Sequence, residues 1–446
     1  MAVNATEAKR LKEYIAKGWE FHIIEMLHDL KPVEIAELIE ALDEESRGKL
    51  FRLLDVSTAS EVISELSSDS REDVLDDISD SALAKIVEDM DSDDAADLVA
   101  DLKGERAERV LASISPKESS EIRSLLRYPE DTAGGIMQSE IMAVPSTTSV
   151  DAVITQIRQR ASEIDNIHTI FVTDNNSRLV GSVPLVKLIL AKPETPIFQI
   201  MDLDPLKVPV TMDQEDVARL FKKYDTVVMP VVDKDNRLLG RITVDDIVDV
   251  IDEEAEEDMF MLAGADEDIL SSSILKNASA RIPWLFVCWV GEALNSVLIK
   301  GFEPTLSKLV GLAAFMPMIL GMGGNVGSQS VALIVRGIAT GRVTQRYFLN
   351  IIARQVGVGA LMGVVYGLML GLISMVMYPD YMKMALVVTL SIFNSMTLAA
   401  LVGTVLPILF FKLGKDPAVA SGPFMSSVMD LIGVIAYFSI ATWLLF

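Results

Sequence analysis

The chain has 446 residues, enough for several domains. Its 39 Lys and Arg residues are outnumbered by 64 Asp and Glu residues, which gives a formal net charge of −25. Such acidity argues against nucleic acid as a partner, because phosphate binding needs a basic surface. A single cysteine, Cys288, excludes a disulfide framework, and three histidines exclude a histidine-rich metal site.

The charge is divided unevenly along the chain. Residues 281–446 contain five acids and ten bases, whereas residues 1–280 contain 59 acids and 29 bases, a net of −30. An acidic, soluble half therefore precedes an apolar half. The first ten residues are polar and charged, so no signal peptide is expected. We expect residues 1–280 to lie in the cytoplasm and residues 281–446 to cross the plasma membrane several times.

Residues 1–130 are predicted to form an all-α N domain. Segments such as LKPVEIAELIEALDEES and MDSDDAADLVADLKGERAERVLASI place apolar residues three to four positions apart after acidic starts. This spacing is typical of short amphipathic helices, and a right-handed helical solenoid is predicted. Acids at helix starts act as caps and interact favourably with the helix dipole. They do not account for the whole negative surplus, which repels itself in a compact state.

The next two segments, 131–199 and 200–249, contain an internal repeat. IMQSEIMAVPSTTS (136–149) matches IMDLDPLKVPVTMD (200–213), and FVTDNNSRLVGSVPLVKLI (171–189) matches PVVDKDNRLLGRITVDDIV (230–248). Each copy predicts an extended segment, a helix, a β-hairpin and a second helix. This pattern resembles a tandem pair of CBS domains, which are α+β modules that often sense nucleotides or ions.

The second copy also contains a candidate nucleotide motif. Thr243 and Asp246 in GRITVDD are similar to the Thr-x-x-Asp that holds a ribose in nucleotide-binding CBS domains. The first copy has Ser182 and Leu185 at these positions, which breaks the pattern. At most one adenosine site is therefore expected, and both ATP as a regulator and the absence of any nucleotide stay open.

Residues 250–280 are predicted to form a connecting helix rich in acids, with the sequence IDEEAEEDMFMLAGADEDIL at 251–270. A run of charge is usually a solvated face. Here it lies between an acidic domain and a membrane domain, and bringing such surfaces together requires counter-cations. Oxygen ligands without His or Cys favour hard divalent ions, Mg²⁺ or Ca²⁺.

Residues 281–446 are predicted to form an all-α domain of five membrane spans, since the apolar stretches approach or exceed the roughly 20 residues that a span needs. These stretches lie at 282–299, 309–335, 355–379, 384–411 and 417–446. Basic residues cluster after spans two and four, which places both loops inside and the C-terminus outside. Five helices make a small bundle for a transport path, so we expect a homodimer in the lipid bilayer that shares a central pore.

Three features of these spans carry polar groups. The segment PMILGMGGNVGSQS (317–330) is expected to loosen its helix and to line a pore, rather than only to pack. Asp430 lies near the middle of span five, where a carboxylate is costly unless it faces a pore or a partner; a buried, hydrogen-bonded or protonated Asp is the alternative. Glu292 in span one is a weaker candidate for a pore-lining residue. The glycines of GVGALMGVVYG (357–367) are explained by ordinary helix packing.

Taken together, the chain resembles the MgtE family of magnesium channels or transporters over nearly its whole length. The motifs that carry the resemblance are EDTAGGIM (130–137), RIPWL (281–285), PMILGMGGNVGSQS (317–330) and KDPAVASGPFMSSVMDLIG (415–433). The resemblance implies a dimeric, Mg²⁺-selective path whose cytosolic part closes it when Mg²⁺ binds. The connecting segment then corresponds to the plug helix of the family.

The resemblance also implies site residues, none of them catalytic. In the pore, Asp430 would hold a hydrated ion, lined by Asn325 and the neighbouring Gly324 and Gly321. The cytosolic Mg²⁺ ligands would be Glu61, Asp93, Asp97, Asp213, Glu215, Asp225, Asp246, Asp249, Glu254, Glu257, Asp258 and Asp416. Lys222 departs from the family pattern near Asp225, and a cation beside a cation site weakens it.

Two other functions stay open from the residues alone. The first is a proton- or ion-coupled secondary transporter of divalent cations, in which Asp430 titrates. The second is a nucleotide-sensing receptor whose spans only anchor the CBS pair. An enzyme is not expected, because the sequence has no Ser-His, Cys-His, P-loop or metal-hydrolase pattern.

Overall fold

The computed structural model describes residues 5–160, 164, 166–263, 274–343, 345–420 and 422–445. The chain divides into two compact units, Met1–Ile251 and Asp252–Phe446. The first unit contains the N-terminal helices and both copies of the repeat. The second contains the apolar helices.

Ten short helices open the first unit. They are α1 (Ala5–Lys17), α2 (Glu20–Leu27), α3 (Pro32–Glu40), α4 (Glu44–Phe51), α5 (Val56–Ser64), α6 (Ser68–Asp77), α7 (Asp80–Asp89), α8 (Ser92–Ala100), α9 (Gly104–Ser113) and α10 (Pro116–Leu125). Helices two apart in sequence pack together, as α3 on α5, α5 on α7 and α7 on α9. The three-to-four spacing explains this stack, since α5 buries Ala59, Val62 and Ile63 on one side. The predicted all-α N domain is confirmed.

Acids begin several of these helices and satisfy free backbone N–H groups. The Asp43 carboxylate accepts a hydrogen bond from the Ser46 N–H (3.2 Å), and Asp55 accepts one from the Thr58 N–H (3.1 Å). The Ser46 hydroxyl also donates to Asp43 (2.8 Å), and this bond is the main reason that the pKa of Asp43 is lowered. The Thr58 N–H bond is the main reason that the pKa of Asp55 is lowered. Part of the negative charge therefore stabilises local structure, as the sequence suggests.

The repeat folds as two matching α+β modules, as predicted. The first contains β1 (Ala143–Pro145), α11 (Val150–Gln159), β2 (Thr169–Thr173), β3 (Leu179–Pro184) and α12 (Leu185–Leu190). The second contains β4 (Val208–Pro209), α13 (Gln214–Tyr224), β5 (Val228–Val232), β6 (Leu238–Thr243) and α14 (Val244–Ala263). In each module the first strand pairs parallel to the second, and the second pairs antiparallel to the third.

The two hairpin turns bind each other. The Leu179 N–H donates to the Asn236 carbonyl and the Leu238 N–H donates to the Ser177 carbonyl, both at 2.9 Å. Ser177 and Asn236 both have positive φ, 61° and 62°, so each turn presents the same backbone conformation. This reciprocal pairing, together with the buried Phe171 between the sheets, holds the two modules as one pair.

The second module also shares a hydrophobic core with the N domain. Val217, Phe221 and Ile247 belong to the same cluster of buried side chains as Leu98 and Val99 of α8. The Ala133 N–H donates to the Met212 carbonyl at 2.7 Å. Residues that follow α10 are thereby attached to the second module.

The second unit contains α15 (Ile274–Gly301), α16 (Glu303–Lys308), α17 (Met316–Ala339), α18 (Phe348–Met377), α19 (Met382–Lys412) and α20 (Gly422–Leu445). Five stretches are long and apolar enough to cross a membrane: Asn277–Gly301, Val310–Ala339, Phe348–Met377, Met382–Lys412 and Pro417–Leu445. The prediction of five spans is confirmed. Residues 264–273 of the predicted connecting segment lie outside the described residues.

Small residues bring the spans together. A methyl group added at Gly359, Gly363 or Gly367 of α18 would lie within 2.8 Å of the backbone of α19. The packing interpretation of the glycine-rich segment 357–367 is therefore confirmed for these three glycines, whereas a methyl group at Gly357 would meet nothing within 4 Å among the described residues.

The expectation for segment 317–330 is wrong in one respect. The whole segment lies inside α17, an uninterrupted α-helix from Met316 to Ala339. Its glycines do not loosen the backbone but let neighbours approach, since a methyl group at Gly327 would lie 2.8 Å from Met425. In a span every backbone N–H and C=O needs a partner, and the helix itself supplies those partners.

Candidate ion path and cation-sensing surfaces

Asp430 lies in α20, inside the fifth span Pro417–Leu445. Its neighbours Met425, Met429 and Val434 are buried in the bundle, whereas Asp430 itself is only half-buried. The Asp430 carboxyl lies within hydrogen-bond distance of the Glu292 side chain on α15. The Asp430 carboxyl inside span five therefore has a second carboxyl, that of Glu292, beside it.

The three pore residues predicted on span two lie along one side of α17. A methyl group at Gly321 or Gly324 would meet no other group within 4 Å, and Asn325 is exposed. These positions are spaced so that they share a helix face. The opposite face, with Gly323 and Gly327, packs on α19 and α20. Span two thus has a closed face toward its own bundle and an open face that carries the predicted residues.

In the first unit, α8 and the start of α14 bring acids together. Burial raises the pKa of the Asp93 carboxyl well above its ordinary value, and the nearby Asp246 and Asp94 raise it further. Burial also raises the pKa of Asp246 to about 6, although hydrogen bonds from Thr243 oppose the shift. The pKa of Glu65 rises because of burial and of the charges of Asp249 and Asp94. N-domain acids therefore face acids of the second module at close range.

Two further predicted N-domain ligands lie on α5 and α8. Glu61 on α5 and Asp97 on α8 are both exposed. Glu65 and Asp94 do not figure among the predicted ligands, although both lie in this cluster. The sequence could have indicated Glu65 as a ligand, because it follows Glu61 by four residues and so shares its helix face.

The predicted trio Asp213, Glu215 and Asp225 does not converge within the subunit. Asp213 begins α13 and accepts a hydrogen bond from the Glu215 N–H (3.0 Å), while Glu215 pairs with Arg219 (3.1 Å). Asp225 follows the last residue of the same helix in a left-handed conformation (φ 50°). The two ends of this helix are about 16 Å apart, which is too far for a shared ion.

In the second unit, the end of α14 approaches the loop before span five. Burial raises the pKa of Asp258 to about 6, and the charges of Asp416 and Glu254 add to the shift while Arg336 opposes it. The Asp416 carboxylate accepts a hydrogen bond from the Ala418 N–H at 2.7 Å. Glu257 lies on the same helix as Glu254 and Asp258. These four predicted ligands therefore lie on α14 and on the loop that leads into span five.

The candidate nucleotide residues bind each other. The Thr243 hydroxyl donates to the Asp246 carboxylate (2.7 Å), and the Thr243 N–H donates to it as well (3.1 Å). This pair stabilises the start of α14. Binding a ribose would require Asp246 to give up or share these bonds.

No group of three or more His, Cys, Asp or Glu side chains converges into a metal site within the described residues. The acidic surfaces are thus arranged as facing charges rather than as closed coordination shells.

Three family profiles match the chain along its length. They are described as Divalent cation transporter, over residues 316–440, MgtE intracellular N domain, over residues 30–131, and CBS domain, over residues 133–194 and 197–253. The chain is 37% identical over 335 residues to the magnesium transporter MgtE of Thermus thermophilus, covering 74% of each chain. It is 37% identical over 326 residues to that of Enterococcus faecalis, covering 73% of this chain and 72% of the relative. The chain belongs to the MgtE family of magnesium transporters. The resemblance found in the sequence is confirmed.

Solved structures of the family match the soluble half. The cytosolic domain of the Mg²⁺ channel MgtE in complex with ATP is 35% identical, with a TM-score of 0.52, and covers 55% of this chain and 99% of its own. The soluble part of a magnesium transporter is 31% identical, with a TM-score of 0.50, and covers 56% of this chain and 98% of its own. The N domain and the CBS pair therefore have the MgtE cytosolic architecture, and the family is a transporter family rather than an enzyme class.

Proposed function

We propose that this protein carries Mg²⁺ into the cell as a homodimeric, multi-pass protein of the plasma membrane. The observation that carries the proposal is Asp430, a half-buried carboxyl in the middle of an apolar span. Mg²⁺ dehydrates reluctantly, so a path that holds the hydrated ion by carboxylates and carbonyls suits it. The open face of α17 with Gly321, Gly324 and Asn325 supplies small and polar groups for the wall of that path.

The surface of α17 leaves room for the second subunit that this proposal requires. On α17, a methyl group at Gly321 or Gly324 would meet nothing within 4 Å among the described residues of the subunit. A twofold axis beside this face would bring two copies of Asp430 to one path. The N-terminal domains would then lie in the cytoplasm and the C-terminus outside, as the basic loops after spans two and four suggest.

Regulation by cytosolic Mg²⁺ follows from the facing acids of the first unit. Asp93 and Asp94 on α8 lie close to Asp246 at the start of α14, and like charges at this range repel. Mg²⁺ bound between them stabilises the closed arrangement of the N domain and the CBS pair. At low Mg²⁺ this arrangement loses stability, which shifts the population toward an open path. ATP bound at Thr243 and Asp246 of the second CBS module would be a second regulator, as the ATP complex of the MgtE cytosolic domain suggests.

The test is Mg²⁺ entry into proteoliposomes that contain the full-length protein. We expect Mg²⁺ flux in the parent, and its loss or a loss of selectivity in Asp430→Ala, because that substitution removes the carboxylate from the path. Asp380→Ala is the control, since it removes an exposed carboxylate between spans three and four. If the Mg²⁺ flux and its selectivity are the same in Asp430→Ala as in the parent, another part of the bundle must determine the selectivity.

A proton-coupled transporter is the second candidate, and the Glu292 and Asp430 pair favours it because two adjacent carboxyls can share a proton. An imposed pH gradient separates the two functions. Coupled transport predicts flux that follows the gradient, whereas a channel predicts flux that follows the Mg²⁺ gradient and the membrane potential alone.

A further inference from the structure

Spans one and five run side by side in the same direction. A methyl group added at Gly291 of α15 would lie 2.6 Å from the Ser427 Cβ of α20. Further along, the rings of Phe302 and Phe438 stack with centroids 5.1 Å apart. The Thr305 and Thr442 hydroxyls then hydrogen-bond at 3.0 Å. Phe302 and Thr305 lie just beyond α15, at the start of α16, so these contacts fix the register of α15 and its continuation against α20.

This register places two carboxyl groups together inside the membrane. Glu292 follows Gly291, Asp430 lies three residues after Ser427, and the two carboxyls are within hydrogen-bond distance. Neither forms an ion pair with a Lys, Arg or His among the described residues. Two ionised carboxyls at this distance repel, and each is costly in an apolar span, so the pair requires a compensating cation or a shared proton.

A third polar side chain contacts one of these two carboxyls. Asn295 is only 4% exposed, and its Nδ2 amide lies 3.5 Å from Glu292 Oε2. Its Oδ1 atom is buried and has no hydrogen-bond partner among the residues that the structure describes. A buried oxygen without a partner lacks the hydrogen bonds that water would otherwise supply. It is therefore available to a ligand that binds next to Glu292.

We propose that Glu292, Asn295 and Asp430 of one subunit form an oxygen-donor site for a divalent cation between spans one and five. The inference rests on the proposed function, because it places Asp430 in the transport path. Two carboxylates balance the charge of one divalent ion, and the amide oxygen adds a neutral donor. A hydrated Mg²⁺ needs few protein oxygens, since its waters complete the octahedron. Glu292 thereby sets the affinity of the path within each subunit, in addition to any contribution from the partner's Asp430.

The first test uses the single cysteine as a reporter. Cys288 lies one turn before Glu292 on α15, so a nitroxide on its thiol detects a paramagnetic ion at the site. We expect Mn²⁺ to broaden the nitroxide spectrum of the full-length protein in detergent. Glu292→Gln should raise the Mn²⁺ concentration required by about tenfold or more, the range typical of lost metal-site partners. Asn295→Leu, which removes the amide oxygen, should also raise it.

Glu303→Gln is the matched control, because it makes the same chemical change at an exposed position on α16. It should titrate like the parent. A Glu292→Gln protein that also titrates like the parent overturns the proposed site. So does a parent that transports Mg²⁺ but shows no Mn²⁺-dependent broadening, which would assign a shared proton to the pair.

The second test measures transport and does not depend on labelling. In proteoliposomes the Mg²⁺ concentration for half-maximal flux should rise about tenfold in Glu292→Gln, and Glu292→Asp should recover part of the loss. A half-maximal concentration that Glu292→Gln does not change contradicts the site. Absence of flux from the parent contradicts the proposed function instead, so the two failures are distinguishable.

Discussion

Gly403 lies where span four crosses span two, and it illustrates how single residues hold the bundle. A methyl group there would lie 2.5 Å from the Gly327 carbonyl oxygen and 3.0 Å from the Ser330 Cβ. The contact is with backbone, which cannot rotate away as a side chain can. The two helices would have to separate to admit even an alanine.

Gly403→Ala should therefore destabilise the full-length protein by about 1–3 kcal/mol, the usual cost of overpacking. The measurement is thermal unfolding in detergent. Gly357→Ala on α18 is the control, because a methyl group there meets nothing within 4 Å. It should leave stability unchanged or raise it slightly, since alanine favours helix more than glycine does. Equal melting temperatures for the two variants would contradict this account of the crossing.

At the same scale, the sequence was sufficient to single out Asp430 but not its neighbour. A carboxylate inside a long apolar stretch is visible from hydropathy alone. The approach of Glu292 depends on Gly291 packing against Ser427, more than a hundred positions along the chain. Pairing between distant helices has no local periodicity in the sequence, so the role of Glu292 stayed undecided until the structure placed it.

At the scale of the secondary-structure elements, acidic residues at helix starts stabilise the short helices of the N domain. Asp55 begins α5 and binds Thr58 through both its backbone N–H (3.1 Å) and its hydroxyl (2.9 Å). These bonds favour the charged carboxylate and lower the pKa of Asp55 below the ordinary 3.8. The stabilisation is complete above the ordinary value, where the carboxylate is charged in both the folded and the unfolded chain. It is lost as the pH falls through the lowered pKa.

Amide hydrogen exchange in α5 should therefore accelerate below about pH 4, after correction for intrinsic rates. Asp55→Asn should remove this pH dependence, because the amide oxygen still accepts the bond but does not titrate. Helix α11 serves as an internal control, since it is capped by the Ser149 hydroxyl (3.4 Å), which has no charge to lose. Exchange in α5 that accelerates equally in Asp55→Asn would show that another acid is responsible.

Elements were predicted well where their patterns are local. The hairpins of the CBS pair were visible from turn residues such as Asp174 and Asp233, whose carboxylates accept backbone N–H bonds within each turn. Helix α17 was the failure. Four glycines and two amides in residues 317–330 predict a weak helix in water, but in a bilayer the backbone has no other partners and the helix persists.

At the scale of the whole molecule, the main feature is the large negative charge of residues 1–280. Residues 1–280 have a net charge of −30, and several of their acids face one another at Asp93, Asp94 and Asp246. Monovalent salt screens such repulsion over a Debye length of about 8 Å at physiological strength. A divalent ion held between two carboxylates opposes it directly. The nature of the cation should therefore matter more than the ionic strength.

Limited proteolysis of the full-length protein tests this expectation. Millimolar-range MgCl₂ should protect the N domain more strongly than KCl at the same ionic strength. The double variant Asp93→Asn/Asp246→Asn should be protected even without Mg²⁺, because the repulsion is gone, whereas the exposed Glu44→Gln should behave like the parent. Equal protection by KCl and MgCl₂ would reduce the role of Mg²⁺ to screening.

The parallel contact of spans one and five has a consequence for how the protein is made. Span one enters the membrane early in translation, and α20, which supplies Ser427 and Asp430, emerges only after the four other spans described above. Until then Glu292 and Asn295 lie in the bilayer without the helix that accompanies them. A polar side chain exposed to lipid in this way is costly. A chain truncated in the loop before span five would keep four apolar helices but would leave Glu292 and Asn295 without α20, so span one depends on a helix made much later for its polar contacts.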